Sequence, residues 1–330
     1  MSLPSKLTIL ITGCSTGGMG AALASAFHSA GHHVYATARN PSKLAPLAEK
    51  GIQTLTLDVT SASSIAAAVA SVTASLPAGK AGLDMLVNNA AAHYMMPTVD
   101  ASLDAARALF DTNVWGQLTV TQAFLPLLLR SSSQNNNKNK NNSNNNNFQP
   151  MIVNHTSVGS VTTLPFHGVY NASKAALAML SSTLRMELAP FGLRVVDLKS
   201  AGVRTNIIGN SNVHDPARAD RRLPAGSIYA PAREAVERAM AQEGFRGKGM
   251  APERWAEEVV GLLLLSSGKG RRGPSPPKVI WKGEGAMLAR VAAAVPWCGG
   301  LFEGTVKKVT GLDVVEAILD DKRRRADGHV

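Results

Sequence analysis

Short apolar runs alternate with longer stretches of helical periodicity along the first part of the chain. Leu7–Ile11, His33–Ala38, Thr54–Leu57, Asp84–Val87, Ile152–His155 and Arg194–Leu198 are compact runs of strand character. Between them, Ala21–Ala30, Ile65–Leu76, Leu103–Leu129 and Ala172–Leu188 repeat their apolar positions at helical spacing. Strands that alternate with helices pair in parallel through right-handed crossovers. The pattern therefore predicts an α/β core, a doubly wound parallel sheet, over residues 1–265.

Two breaks interrupt it. Residues 131–149 carry an asparagine tract, with ten asparagines among the thirteen residues 135–147. Such a segment buries too little apolar surface to offset its ordering entropy, so a disordered insertion is expected there. After Leu265, a Gly/Pro/Arg-rich linker leads into an extension, 266–330. Within it Ala286–Phe302 is apolar, but Arg290, Pro296 and a glycine pair interrupt it, too soon for a membrane span. Three readings of this stretch stay open: it lies on a membrane surface, packs over a substrate cleft, or forms a dimer contact.

Composition narrows the classes. A chain of 330 residues can bury a full core. The two cysteines, Cys14 and Cys298, offer no disulfide framework and fit a reducing compartment. The N-terminus lacks the apolar core of a signal peptide, so an intracellular protein is expected. The net charge of +11 is spread over both halves, which argues against a concentrated nucleic-acid patch. An anionic cofactor, an anionic substrate or an anionic membrane surface would suit it.

The chemistry sits in three places. Thr12-Gly13-Cys14-Ser15-Thr16-Gly17-Gly18-Met19-Gly20 joins a strand to a helix, as a turn that cradles a pyrophosphate against a helix N-terminus does. Tyr170 and Lys174 stand one helical turn apart, and Ser157 lies thirteen residues before the tyrosine, at the end of a strand-like run. Over roughly residues 6–210 this set resembles the short-chain dehydrogenase/reductase family.

That resemblance implies a Rossmann-type sheet with a helical substrate lid at 206–249, and NADP(H) as cofactor. It implies Tyr170 as the acid, Ser157 as the group polarising the carbonyl, Lys174 as the tuner of the tyrosine and Asn113 as the anchor of a proton relay. Gly13, Ser15, Thr16, Gly18 and Gly20 match the pyrophosphate turn, one residue longer than the family's usual one. Asp58 and Val59 match positions beside the adenine, and Asn88 and Ala90 belong to Asn-Asn-Ala-Ala, where the family has a final glycine. Lys174 would also bind the nicotinamide ribose beside Tyr170. Val203 and Thr205 follow the sixth strand, with Thr205 on the carboxamide and the family's proline replaced by Ser200. Ala38 stands where NAD enzymes carry an acid, and Arg39 follows it. A guanidinium there binds a 2′-phosphate, which favours NADP. No metal is implied.

Within the family, the chain resembles the NADPH-dependent 1-acyldihydroxyacetone-phosphate reductases along nearly its full length. The implied reaction reduces the ketone of a 1-acyl-dihydroxyacetone phosphate to a 1-acyl-glycerol 3-phosphate, at the endoplasmic reticulum or a lipid-droplet surface. Arg204, Arg218, Arg221 and Arg222 are candidates for the substrate phosphate. The alternative within the fold is another lipophilic carbonyl, such as a steroid, a retinoid or a polyketide intermediate. A different class is also formally written: Gly13-x-Ser15-x-Gly17 satisfies a hydrolase nucleophile elbow. A non-catalytic binder of lipid surfaces is a third class. Homo-oligomers through Leu103–Leu129 and Ala172–Leu188 are compatible with the pattern.

Overall fold

The computed structural model describes residues 6–141, 148–205, 222–245, 247–265, 276–294 and 299–326. Its strands are β1 (Thr8–Ile11), β2 (His33–Ala38), β3 (Gln53–Thr56), β4 (Met85–Asn88), β5 (Met151–His155), β6 (Arg194–Ser200) and β7 (Val279–Lys282). They form one parallel sheet in the order β3-β2-β1-β4-β5-β6-β7. The main helices of the first part are α1 (Met19–Ser29), α2 (Ala45–Ala48), α3 (Ala62–Ala74), α4 (Leu103–Phe110), α5 (Gly116–Asn141) and α6 (Gly168–Leu188). Beyond β6 come α7 (Arg233–Met240), α8 (Pro252–Leu263), α9 (Ala286–Ala294), α10 (Gly299–Thr310) and α11 (Leu312–Ala326).

Both faces of the sheet are covered, which is why its strands read as continuous apolar runs. Side chains alternate between the faces. Ile9, Ile11, Val34, Val87 and Val153 join Leu23, Phe27, Trp255 and Val259 in one core. Leu10, Tyr35, Leu86, Ile152 and Val195 join Ile65, Val120, Phe124 and Leu127 in the other. Each fully buried aliphatic side chain contributes about 1.5–3 kcal/mol. A third apolar cluster sits above the strand ends. Phe166, Leu223, Val236 and Met240 pack there with Val315 of α11.

The predicted α/β fold is present, and the structure differs from three local expectations. The seventh strand comes from beyond residue 265, so the segment 266–330 is not an extension alone. Val-Ile-Trp-Lys is too short to show periodicity, and pairing with β6 makes it a strand. The single helix expected over Leu103–Leu129 is three pieces, with a π turn at Asp111–Trp115 between α4 and α5. Residues 131–141 are helical, whereas a disordered insertion is expected from 131. An already nucleated helix docks there: Ser131 donates to Asp84 Oδ1 at 2.6 Å, and Ser132 to the Phe191 carbonyl at 3.0 Å. Residues 142–147 lie outside the described part. The apolar stretch after β7 forms α9, packed against β7 and the short turn Val158–Ser160. Its outer side exposes Met287, Leu288 and Val291. Of the expected lid, 206–221 lie outside the described residues, and α7 supplies its helix.

Candidate active site

The strand order reverses between β1 and β4, and a crevice opens there at the carboxyl ends of the strands. A cavity of about 390 Å³ occupies it. Gly13, Ser15, Gly18, Arg39, Asp58, Val59, Ala90, Tyr170, Lys174 and Thr205 of the expected residues line it.

The turn after β1 needs its glycines for close approach. Gly13 has φ 73°, and a Cβ on it would stand 2.7 Å from Ala90 Cα. A Cβ on Gly20 would stand 2.4 Å from Asn89 Nδ2 and 2.5 Å from the Gly13 carbonyl oxygen. Gly20 thus seats the helix under the turn and does not line the cavity. Helix α1 starts from Gly18 with no side-chain cap, so its first N–H groups suit an anion.

Three other expected residues stand behind the lining. Thr16 donates to the Lys43 carbonyl at 2.7 Å. Val203 bridges to Met250. Asn88 is fully buried and donates to Thr121 Oγ1 at 2.8 Å and Asn154 Oδ1 at 2.9 Å, tying β4 to β5 and α5. The neighbour Asn89, absent from the expected set, is the one at the cavity. Its amide donates to the Thr12 and Gly13 carbonyls at 2.8 and 3.0 Å. Two adjacent asparagines point to opposite faces at a strand end, and residue type alone does not say which.

His155 lies beneath this loop, stacked on Trp255 with ring centroids 5.3 Å apart. The Asn89 amide already donates twice, so its Oδ1 accepts from His155 Nδ1 at 2.8 Å. The other ring nitrogen then accepts from Ser200 at 2.7 Å. Burial, reinforced by Lys174, pushes this imidazole down to about 3 and holds it neutral.

The catalytic candidates come together as expected. Tyr170 lies in the first turn of α6, half-buried, and Ser157 hydrogen-bonds its hydroxyl. Lys174 is buried one turn on and donates to the His155 carbonyl at 2.9 Å. Asn113 sits in the π turn. Its Oδ1 accepts from Ala92 N at 2.8 Å, and its Nδ2 donates to the Ala92 carbonyl at 3.0 Å. It also donates to Ser173 Oγ at 3.1 Å, so it joins the β4 loop to α6. π turns recur at functional sites, and this one places Thr112 at the cavity.

Burial drives the Tyr170 hydroxyl up to about 12, and the opposing influence is Ser157. Lys174 Nζ stands 5.9 Å from the ring centroid and gives one of its three donors to the His155 carbonyl. The phenol therefore keeps its proton at neutral pH, as a general acid must, and Ser157 is the neighbour that eases its release.

Further residues crowd the tyrosine. The rings of His93 and His167 lie 4.5 and 6.4 Å from it between centroids, and 5.2 Å from each other. His167 bonds the Pro165 carbonyl through Nδ1 at 2.8 Å, and its Nε2 faces Gln242 Nε2 of the lid at 2.9 Å. Phe166 (φ 66°) and Gln242 (φ 53°) are the non-glycine residues with positive φ among those described, and they flank this contact. Such strain, on the order of 1–3 kcal/mol each, gathers where lids meet sites. The lid is pinned again where Ser227 donates to Asp100 at 2.7 Å. His93 could have been sought as the first titratable residue after a strand end at the switch point.

The residues fit NADP(H): a glycine cradle that side chains would fill, an uncapped helix start, and Arg39, Asn40 and Lys43 gathered after β2 with no acid among them. When bound, the cofactor supplies the hydride. The expected result of Arg39→Ala is an NADPH affinity lower by about 10- to 100-fold, the worth of one charged hydrogen bond. NADH affinity should not move, and titration of cofactor fluorescence reads both.

The family model for short chain dehydrogenases matches residues 7–215. A short-chain dehydrogenase/reductase of Pestalotiopsis microspora is 45% identical over 94% of this chain and 96% of its own. The NADPH-dependent 1-acyldihydroxyacetone phosphate reductase of Schizosaccharomyces pombe is 33% identical, covering 87% of this chain and 89% of its own. Among solved structures, a short-chain dehydrogenase from Streptomyces avermitilis superimposes with a TM-score of 0.64 at 27% identity, over 91% of this chain and 98% of its own.

Proposed function

The chain belongs to the short-chain dehydrogenase/reductase family, an NADP-dependent oxidoreductase of alcohol and carbonyl groups, and on that premise we propose that it reduces 1-acyl-dihydroxyacetone phosphate to 1-acyl-glycerol 3-phosphate. In this reading Tyr170 gives its proton to the ketone oxygen, Ser157 holds that oxygen, and Lys174 binds the nicotinamide ribose. Asn113 anchors the path by which the tyrosine is recharged. Ser15 belongs to the cofactor turn, which leaves the hydrolase elbow no support.

The observation that supports the substrate class is the apolar packing of the lid. Met95 and Met96 from the β4 loop, Phe166, and Leu223 and Met240 of the lid form one cluster with Val315, Leu312 and Ile318 of α11. An apolar lid of this kind is compatible with a lipophilic substrate. The likeness to the S. pombe enzyme, whose name specifies the phosphorylated ketone, adds the headgroup. Arg204 is exposed beside the cavity, whereas Arg218 and Arg221 lie outside the described residues. Among the described residues, no helix is long and apolar enough to cross a membrane. Attachment to an endoplasmic-reticulum or lipid-droplet surface would then use the outer side of α9.

A second reading is reduction of another lipophilic carbonyl, such as a steroid, a retinoid or a polyketide intermediate. The same all-apolar cluster favours it, and the 45% identical relative is named by family alone. NADPH oxidation with 1-palmitoyl-dihydroxyacetone phosphate, its dephosphorylated analogue and a 17-ketosteroid separates the two. The expected result is turnover of the phosphate substrate, with kcat/KM lower by tenfold or more (on the order of one charged contact) for the analogue. Turnover of the neutral ketones alone would end the phospholipid reading.

A further inference from the structure

Behind the catalytic side chains lies a buried ion pair that the reaction described above does not use. Asp197 and Lys199 are alternate residues of β6, with side chains only 4% and 6% exposed, and their charges meet at 2.8 Å. Burying two charges costs several kcal/mol per ion before their attraction is counted, and matched apolar residues often serve stability as well. The pair's contacts give it a use. The other oxygen of Asp197 accepts from Thr156 Oγ1, the residue after the one whose carbonyl receives Lys174. Lys199 donates to Ser160 Oγ at 2.7 Å, and Ser160 Oγ donates to the Ser157 carbonyl at 2.7 Å. Trp281 of β7 covers the ammonium at 5.6 Å. The pair thus grips both ends of the segment that carries Ser157 and receives Lys174.

We propose that Asp197 and Lys199 are positioning residues of the reductase, which fix the segment from His155 to Ser160 and supply the charge balance under which Lys174 works. Neither lines the cavity. The groups that face Lys174 are Tyr170 on its own helix, His155 on β5 and, more distantly, Asp197 on β6, which Lys199 pairs, while His93 and His167 face the tyrosine ring. His155 is neutral and Tyr170 keeps its proton, so Asp197 is the anion of this set. Burial pushes Lys174 down to about 8, and Asp197 opposes that fall. Carbonyl reduction should therefore decline as pH rises through the region where Lys174 loses its charge.

The test is the pH profile of kcat/KM for the NADPH-loaded enzyme, read with whichever ketone of the panel the wild type reduces. Failure of the phospholipid reading leaves it intact. Asp197→Asn should move the alkaline limb to lower pH by about one unit, the effect of removing a nearby opposite charge. Lys199→Met leaves the carboxylate uncompensated and should move the limb upward. A residue that merely supports the fold would not move the limb in opposite directions. Should Asp197→Asn fail to fold, Asp197→Asn/Lys199→Met removes the pair without stranding a charge, and the downward shift is expected there. Folded variants with NADPH affinity intact and an unmoved limb would overturn the proposal, whatever their kcat.

Discussion

Replacing Tyr170 by phenylalanine is expected to lower kcat for carbonyl reduction by about 10²–10⁴-fold, the usual worth of a positioned general acid. The substitution removes one oxygen from a half-buried ring and should leave the fold in place. The ring keeps its packing against His93 and His167. NADPH affinity should change little, since Lys174 is held by the His155 carbonyl and not by the phenol. The loss should therefore fall on kcat and kcat/KM together, as for an interaction made in the transition state. Ser157→Ala should cost less, about 10²-fold, by analogy with one oxyanion donor. Single-turnover hydride transfer, followed by NADPH absorbance, measures both. Tyr170→Phe retaining more than a tenth of wild-type kcat would remove the tyrosine from the chemistry.

The second large effect concerns stability. Trp255 is the largest fully buried side chain, and it stands on α8 where that helix packs on α1 and against the sheet. Truncating it to alanine should cost about 3–5 kcal/mol, the transfer loss plus the cavity left behind. For a chain of this size that corresponds to a Tm lower by about 4–7 °C. The same ring supports His155, which bonds Asn89 under the glycine turn and Ser200 at the end of β6. Cofactor affinity should thus fall well below the melting transition. Trp255→Phe fills part of the space and should recover more than half of both losses. Thermal melts with and without NADPH check this, and an unchanged Tm for Trp255→Ala would be incompatible with the packing.

His155 adds a pH dependence of its own. Its folded-state value lies far below that of an exposed histidine, so the stability it contributes is present above the ordinary imidazole range. That stability is lost as pH falls toward about 3.

The catalytic candidates were legible because their chemistry is local. Tyr170 and Lys174 need only one helical turn between them, and the run ending in Ser157 is β-branched and apolar enough to mark a strand end. Arg39 was legible because it directly follows a clear strand. What escaped depends on contacts between distant segments. The choice between Asn88 and Asn89 turns on which face each takes at the end of β4. The role of Gly20 turns on Asn89, far off in sequence. The strand Val279–Lys282 needs β6 beside it, and the helix through Ser131 needs Asp84 to receive it. Spacing places Lys174 near Tyr170 but does not say that its ammonium donates to the His155 carbonyl.

The last strand of the sheet also orders events in time. On a ribosome, β6 emerges first, and the lid and α8 follow before β7 arrives. Until then the outer edge of β6 has unpaired N–H and C=O groups, a template for another chain. The waiting edge also carries Asp197 and Lys199, and inward-pointing charges are a known guard against edge-to-edge pairing. A nascent chain stalled before residue 279 should therefore depend on chaperones more than its apolar content alone would require.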